Sequence, residues 1–109
     1  MTSSTIDRTF HALADSTRRD LLLLLTDGER SVSDLATPFT ATRSAVSQHL
    51  KILRSAALVE RRRQGRKQFY RLRAEPLTAV FDWVQVFEAF WTHNLQRLGE
   101  YLDDTADAQ

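Results

Sequence analysis

The stretch from Thr40 to Arg73, TATRSAVSQHLKILRSAALVERRRQGRKQFYRLR, leaves few folds open to this chain. Val46, Leu50 and Leu53 recur at i, i+4 and i+7, the spacing of one helix face. With Val46 at the centre of the buried side, Ser44, Gln48 and Lys51 fall near the opposite side and Ser47 on its flank. Short hydroxyls, an amide and a cation are the groups that hydrogen-bond base edges and phosphates in a major groove. After this helix, LVERRRQGRKQFYRL reads as a hairpin: β-prone residues, a Gln64-Gly65 turn signal, then the alternating pair Tyr70 and Leu72.

Charge is concentrated on the same stretch. From Arg43 to Arg73 there are ten Lys/Arg and the single acid Glu60, a net +9. The remainder carries five basic and thirteen acidic residues, a net −8, which leaves the whole chain at +1. A near-neutral protein that gathers its cations on one helix and one hairpin has the electrostatic footprint of a polyanion binder. A solvated basic surface is the bland alternative. It accounts for the arginines but not for a polar-faced helix placed directly before a glycine-tipped basic hairpin.

The run S-A-V-S-Q-H-L-K-I-L-R-S-A-A-L-V, followed by R-R-Q-G-R-K-Q-F-Y-R-L, resembles the arsenic-repressor (ArsR) family of winged helix-turn-helix regulators. Upstream, Ala12-Leu13-Ala14-Asp15-Ser16-Thr17-Arg18 is similar to the family's A-L-A-D-P-T-R, so the likeness covers nearly the whole chain. Two departures stand out. Ala57 replaces the glycine that usually follows the recognition helix, so a left-handed cap there carries a Cβ penalty or the turn differs. Ser16 replaces a proline in a first helical turn, a position that accepts other good N-terminal residues.

Around this centre the rest of the chain falls into place. At 109 residues it is expected to be one domain, with 42% apolar residues for a small core. It has no cysteine, which excludes disulfides, thiol redox sensing and thiolate metal sites. Met1-Thr2-Ser3-Ser4 has neither the basic nor the apolar region of a signal peptide, and Leu21 to Leu25 is too short to span a bilayer. A soluble cytoplasmic protein without a membrane partner is the expectation. A first helix is expected over about Thr5 to Ala14, with Ile6, Phe10 and Leu13 on one face. Asp15 is the N-cap of a second that Gly28 stops, and its five leucines imply burial on more than one side. Glu29 to Ser33 reads as a short extended piece. Ser33 is the expected cap of a helix from Asp34 to about Phe39, and Thr40 that of the recognition helix.

After the hairpin, Pro76 opens what reads as one long helix to about Leu102, followed by a frayed acidic tail after Asp103. Its apolar arc exceeds half the circumference, more than one core contact needs. A second copy of the chain is the economical cover for the excess. In the resembling family the first and last helices form such a dimer interface, which implies contacts from Ile6, Phe10, Val80, Trp83, Phe87, Phe90, Trp91 and Leu98.

No nucleophile triad, glycine-rich phosphate loop or H-E-x-x-H motif occurs, so an enzyme is not expected. His49 falls toward the buried flank of the recognition helix and reads as a structural histidine; His11 has no ligand-spaced partner. Many metal sensors of the resembling family carry two cysteines in a stretch similar to E-L-C-V-C-D-L. Here Glu29 to Leu35 reads E-R-S-V-S-D-L, and serine hydroxyls are poor ligands for soft metals. Asp82 and His93 could be offered for a second family site, but along one helix they stand roughly 16 Å apart. Only a partner helix could unite them.

The expected fold is mainly α with a small β-hairpin: a winged helix-turn-helix of four helices, a wing and a long C-terminal dimerisation helix. The helix-turn-helix occupies 34–55, the wing 58–72 and the dimerisation helix 76–102. The resemblance implies a sequence-specific transcriptional regulator, a repressor that binds double-stranded DNA at a palindromic operator as a homodimer. Candidate DNA contacts are Thr42, Arg43, Ser44, Ser47, Gln48 and Lys51 on the helix and Arg61, Arg63, Gln64, Arg66 and Lys67 on the wing. No cofactor or metal is expected, and the sequence names no small-molecule effector. Three other readings stay open: a weakly specific architectural DNA binder, a metal-sensing repressor with a cross-dimer site on the last helix, and a winged helix used for protein–protein association.

Overall fold

In the computed structural model, the backbone of residues 2–107 and the side chains of residues 5–103 are described. Three polar caps set the helical frame. Asp15 accepts hydrogen bonds from the Thr17 and Arg18 backbone N–H groups at 2.8 and 3.1 Å, which starts α2 (Ser16–Leu24) after α1 (Thr2–Leu13). A tight turn over Leu25–Asp27 follows, and Gly28, at φ 137° and ψ −177°, occupies backbone space that is essentially reserved for glycine. The strand β1 (Arg30–Ser31) leads into α3 (Val32–Ala36), and α4 (Arg43–Ser55) comes next.

The caps of α3 and α4 differ from the expected ones. Ser31, not Ser33, caps α3 by accepting from the Asp34 N–H. Thr42, not Thr40, caps α4 by accepting from the Ala45 N–H. In both cases the hydroxyl that wins sits three residues before the N–H it accepts from, the spacing a cap requires.

Ala57 does adopt the left-handed conformation, at φ 60°. Its N–H donates to the Arg54 carbonyl and the Leu58 N–H to the Leu53 carbonyl, which together form a Schellman exit from α4. Leu53 and Leu58, brought together by this turn, are both fully buried.

The wing is β2 (Val59–Gln64) and β3 (Lys67–Leu72), antiparallel, with Gln64 opposite Lys67 across the turn. Gly65, at φ 61°, takes the first of the two turn positions, where a Cβ would be strained. β1 adds to the other side of β3, pairing Arg30 with Tyr70, so the expected two-stranded hairpin is the greater part of a three-stranded sheet. The core lies between this sheet and α1–α4. Val46, Leu50 and Leu53 of α4 meet Leu21, Leu35 and Leu58, and Val59 and Tyr70 close it from the wing. In α2, Leu21 and Leu22 are buried, as is Leu25 in the turn that follows; Leu24 is half-buried and Leu23 points outward. Burial on more than one side thus holds for the leucine run as a group, not for each leucine.

The expected single last helix is broken. α5 (Leu77–Gln85) ends in a tightened turn where the Val86 and Phe87 N–H groups donate three residues back, and α6 (Glu88–Asp107) begins beyond it. β-branched Val84 and Val86 weaken helix propensity there, and Glu88 favours a fresh N-terminus. The fold therefore has six α-helices among the described residues rather than four and one long one. α6 continues past the expected end at Leu102, and the rest of the expected tail lies outside the described residues.

Candidate nucleic-acid interface

The side of α4 away from the core carries Arg43, Ser44, Ser47, Gln48 and Lys51, all exposed. Thr42 stands at its start with its oxygen engaged as the cap. The register of the wing decides which of its residues share that side. Val59, Arg61 and Arg63 of β2 stand opposite Leu72, Tyr70 and Gln68 of β3, so these six share one face of the sheet. Its inner end closes the core and its outer end extends beside α4. Ser47, Gln48, Lys51 and Arg54 line one concavity together with Arg61, Gln68 and Tyr70. Arg43 and Ser47 line a second, against Arg66, Lys67, Gln68 and the start of α3.

The opposite face of the wing is electrostatically different. Arg62 makes a two-pronged pair with Glu29, at 2.5 and 3.2 Å, donates to Gln64 at 3.0 Å, and lies 5.0 Å from the Phe69 ring centre. Glu60 is bound by both Arg71 and Arg73, and Arg73 also reaches Glu75. These bonds hold the Glu29 carboxyl (through Arg62) and the Glu60 carboxyl (through Arg71 and Arg73) below the usual glutamate range. Three of the ten cations counted in the sequence are thus internally neutralised. Among the described residues, Arg43, Lys51, Arg54, Arg61, Arg63, Arg66 and Lys67 form no ion pair. The unpaired cations lie on α4 and on the α4-facing and tip residues of the wing.

Most of the sequence-named residues therefore converge. Arg43, Ser47, Gln48, Lys51, Arg61, Arg66 and Lys67 line the two concavities; Ser44 is exposed at the first turn of α4, and Arg63 shares the sheet face of Arg61. Gln64 does not join them: it is on the Arg62 side, where its amide oxygen accepts from that guanidinium. Arg54 and Gln68 line the same concavities and were missed. The alternation already visible at Tyr70 and Leu72, carried back two residues, would have placed Gln68 on that face.

A model of the bacterial regulatory proteins of the arsR family matches residues 15–61, from the Asp15 cap into the wing. Over 101 residues the chain is 38% identical to HTH-type transcriptional regulator Rv2034 of Mycobacterium tuberculosis, with 93% of this chain and 92% of that protein covered. The chain belongs to the ArsR family. It is 32% identical over 82 residues to the transcriptional repressor SdpR of Bacillus subtilis, covering 75% of this chain and 91% of that one. It is also similar to the homodimeric winged helix-turn-helix DNA-binding domain Mb0332 of Mycobacterium bovis, at 35% identity and a TM-score of 0.64, with 84% of each chain covered. As an ArsR-family member it is a DNA-binding transcriptional regulator, not an enzyme.

Within this ArsR-family fold, Ser31 and Ser33 of the E-R-S-V-S-D-L stretch flank the start of α3, and the Ser31 hydroxyl is engaged as its cap. Asp82 lies on α5 and His93 on α6, on opposite sides of the break, so a straight-helix spacing does not describe them. Among the described residues no group of three or more His, Asp or Glu is placed to hold a metal ion. No helix there is long and apolar enough to cross a membrane.

Every residue from Phe81 to Asp103 is exposed, Phe87, Phe90, Trp91, Leu95, Leu98 and Leu102 among them. α5 reaches the body through Leu77, which is half-buried against the core, and through the edge-on contact of Trp83 with Phe10, at 5.7 Å between ring centres; Trp83 also meets Phe87 at 5.1 Å. The radius of gyration is 18.9 Å, against about 13 Å for a compact chain of this length, because α6 projects outward.

Proposed function

We propose that this chain is a homodimeric repressor that reads a palindromic operator through α4 and grips the flanking backbone through the wing. The observation that carries the reading is the sorting of cations. Those beside the polar face of α4 are unpaired, while those on the far face of the wing are bound to glutamates. In this reading Ser44, Ser47 and Gln48 meet base edges, and Thr42, Arg43 and Lys51 meet phosphates at the groove rim. Arg61, Arg63, Arg66 and Lys67 contact the backbone or minor groove, and Gln64 plays a lesser part at the tip.

The exposed aromatic and aliphatic face of α5 and α6 is too large for a monomer to leave in water. Ile6 and Phe10 of α1, Val80 and Trp83 of α5, Phe87 at the break, and Phe90, Trp91 and Leu98 of α6 form the dimer contact. The homodimeric state of Mb0332 supports this, and the likeness to the transcriptional repressor SdpR supports repression. Two recognition helices then meet half-sites about 34–36 Å apart. A DNA partner supports a cytoplasmic location. The test is to select duplexes from a randomised pool with the full chain and footprint the product. Two symmetric half-sites, with single base changes that weaken binding severalfold, are expected. Enrichment without any common sequence would favour an architectural binder instead.

A further inference from the structure

Arg18 is 8% exposed, and its guanidinium has three partners. Nε donates to the Ala12 carbonyl at 2.7 Å and Nη2 to the His11 carbonyl at 3.0 Å, which also accepts from the Ala14 N–H, so the guanidinium helps to close the C-terminal end of α1. Nη1 stands 3.3 Å from Nδ1 of His49, on the recognition helix directly after Gln48. A guanidinium can only donate, so Nδ1 accepts and the ring proton sits on Nε2. Asp15 Oδ1, the N-cap of α2, is 3.9 Å from the same Nδ1. One polar node thus joins α1, the start of α2 and the recognition helix. α1 carries Phe10, which contacts Trp83 on the proposed dimer face.

We propose that Arg18 and His49 are positioning residues: their bond holds the recognition helix at a fixed angle to α1 and the start of α2, and through α1 to the proposed dimer face. The proposal rests on the operator-reading role of α4 given above. Among the described residues, Arg18 and Asp15 are the charged groups within ion-pair or hydrogen-bond reach of His49. Asp7, Arg8 and His11 of α1 line a separate groove farther along α4, beside Ile52, Ser55 and Ala56.

The test uses a duplex selected by the wild-type chain and a scrambled duplex of the same composition. The readout is the ratio of the two affinities. His49→Leu removes the acceptor and should lower the ratio about tenfold, the scale of one lost charge-assisted hydrogen bond, with circular dichroism and dimer mass unchanged. His49→Asn retains an acceptor near the Nδ1 position, so its ratio should match the wild type. Arg18→Gln should lower the ratio as His49→Leu does. A His49→Leu ratio equal to that of the wild type, or a His49→Asn ratio as low as that of His49→Leu, would overturn the proposal. Failure of any duplex to enrich would instead overturn the operator-reading role itself.

Discussion

Glu29 and Arg62, thirty-three residues apart, form a two-pronged ion pair that ties the approach to β1 to the far face of the wing. It makes the wing one-sided: cations beside α4 stay open while Arg62 is occupied. Glu29→Gln should free Arg62 and remove a negative charge from the far face of the wing. Affinity for unrelated duplex should then rise severalfold at low salt, with a salt slope steeper by up to about one unit per protomer. Titrations of a scrambled duplex over a range of salt check this. An unchanged slope would place Arg62 outside phosphate reach.

Helix and wing should have separable roles. Gln48→Ala should cost about 1–3 kcal/mol on the selected operator and relax discrimination at particular base pairs. Arg66→Ala should weaken operator and scrambled duplex alike and make the salt slope shallower by about one unit per protomer. Equal losses on both duplexes for Gln48→Ala would make α4 a positioning element rather than a reader.

Ala57→Gly should stabilise the protein. The left-handed Cβ at φ 60° costs about 1–2 kcal/mol, offset in part by the greater freedom of glycine in the unfolded chain. A gain of about 0.5–1 kcal/mol in urea unfolding is expected. A loss would mean that the Schellman turn relaxes when the Cβ is absent.

Acid should act through the caps and the wing pairs. Hydrogen bonding from the Arg18 N–H, with the Thr17 N–H and the nearby Arg18 charge, holds the Asp15 carboxyl below its ordinary value. A depressed folded-state value means that the stabilisation is complete above the unfolded value, about 3.9 for Asp, and is lost as pH falls through the folded one. The stability gap between wild type and Asp15→Ala should therefore be level from pH 7 to about 5 and narrow below about pH 4. A gap unchanged at pH 3 would contradict the cap assignment.

Much of the interface could be read from residues 40–73 because its signals are local. The 3.6-residue spacing of Val46, Leu50 and Leu53 fixed the outward side of α4, and the Gln64-Gly65 signal came within one residue of the observed turn. What stayed hidden depends on partners distant in the chain. Nothing near Arg62 announces that Glu29 neutralises it, and nothing near Arg18 announces that its guanidinium ends α1 and reaches His49. The α5–α6 break carries no proline or glycine. The caps at Ser31 and Thr42 were misplaced because neighbouring hydroxyls, Ser33 and Thr40, offer the same chemistry.

Dimerisation through α5 and α6, with one recognition helix per half-site, is most directly tested by sedimentation of the full chain alone and with a selected duplex. The wild type should run at twice the 12.5 kDa chain mass and place two chains on each duplex. Phe87→Glu with Trp91→Glu, on a side already exposed in the single chain, should run at 12.5 kDa with its circular dichroism retained and lose most operator affinity, since its two readers are no longer linked. A wild type that sediments as one chain and occupies the duplex singly would contradict the account.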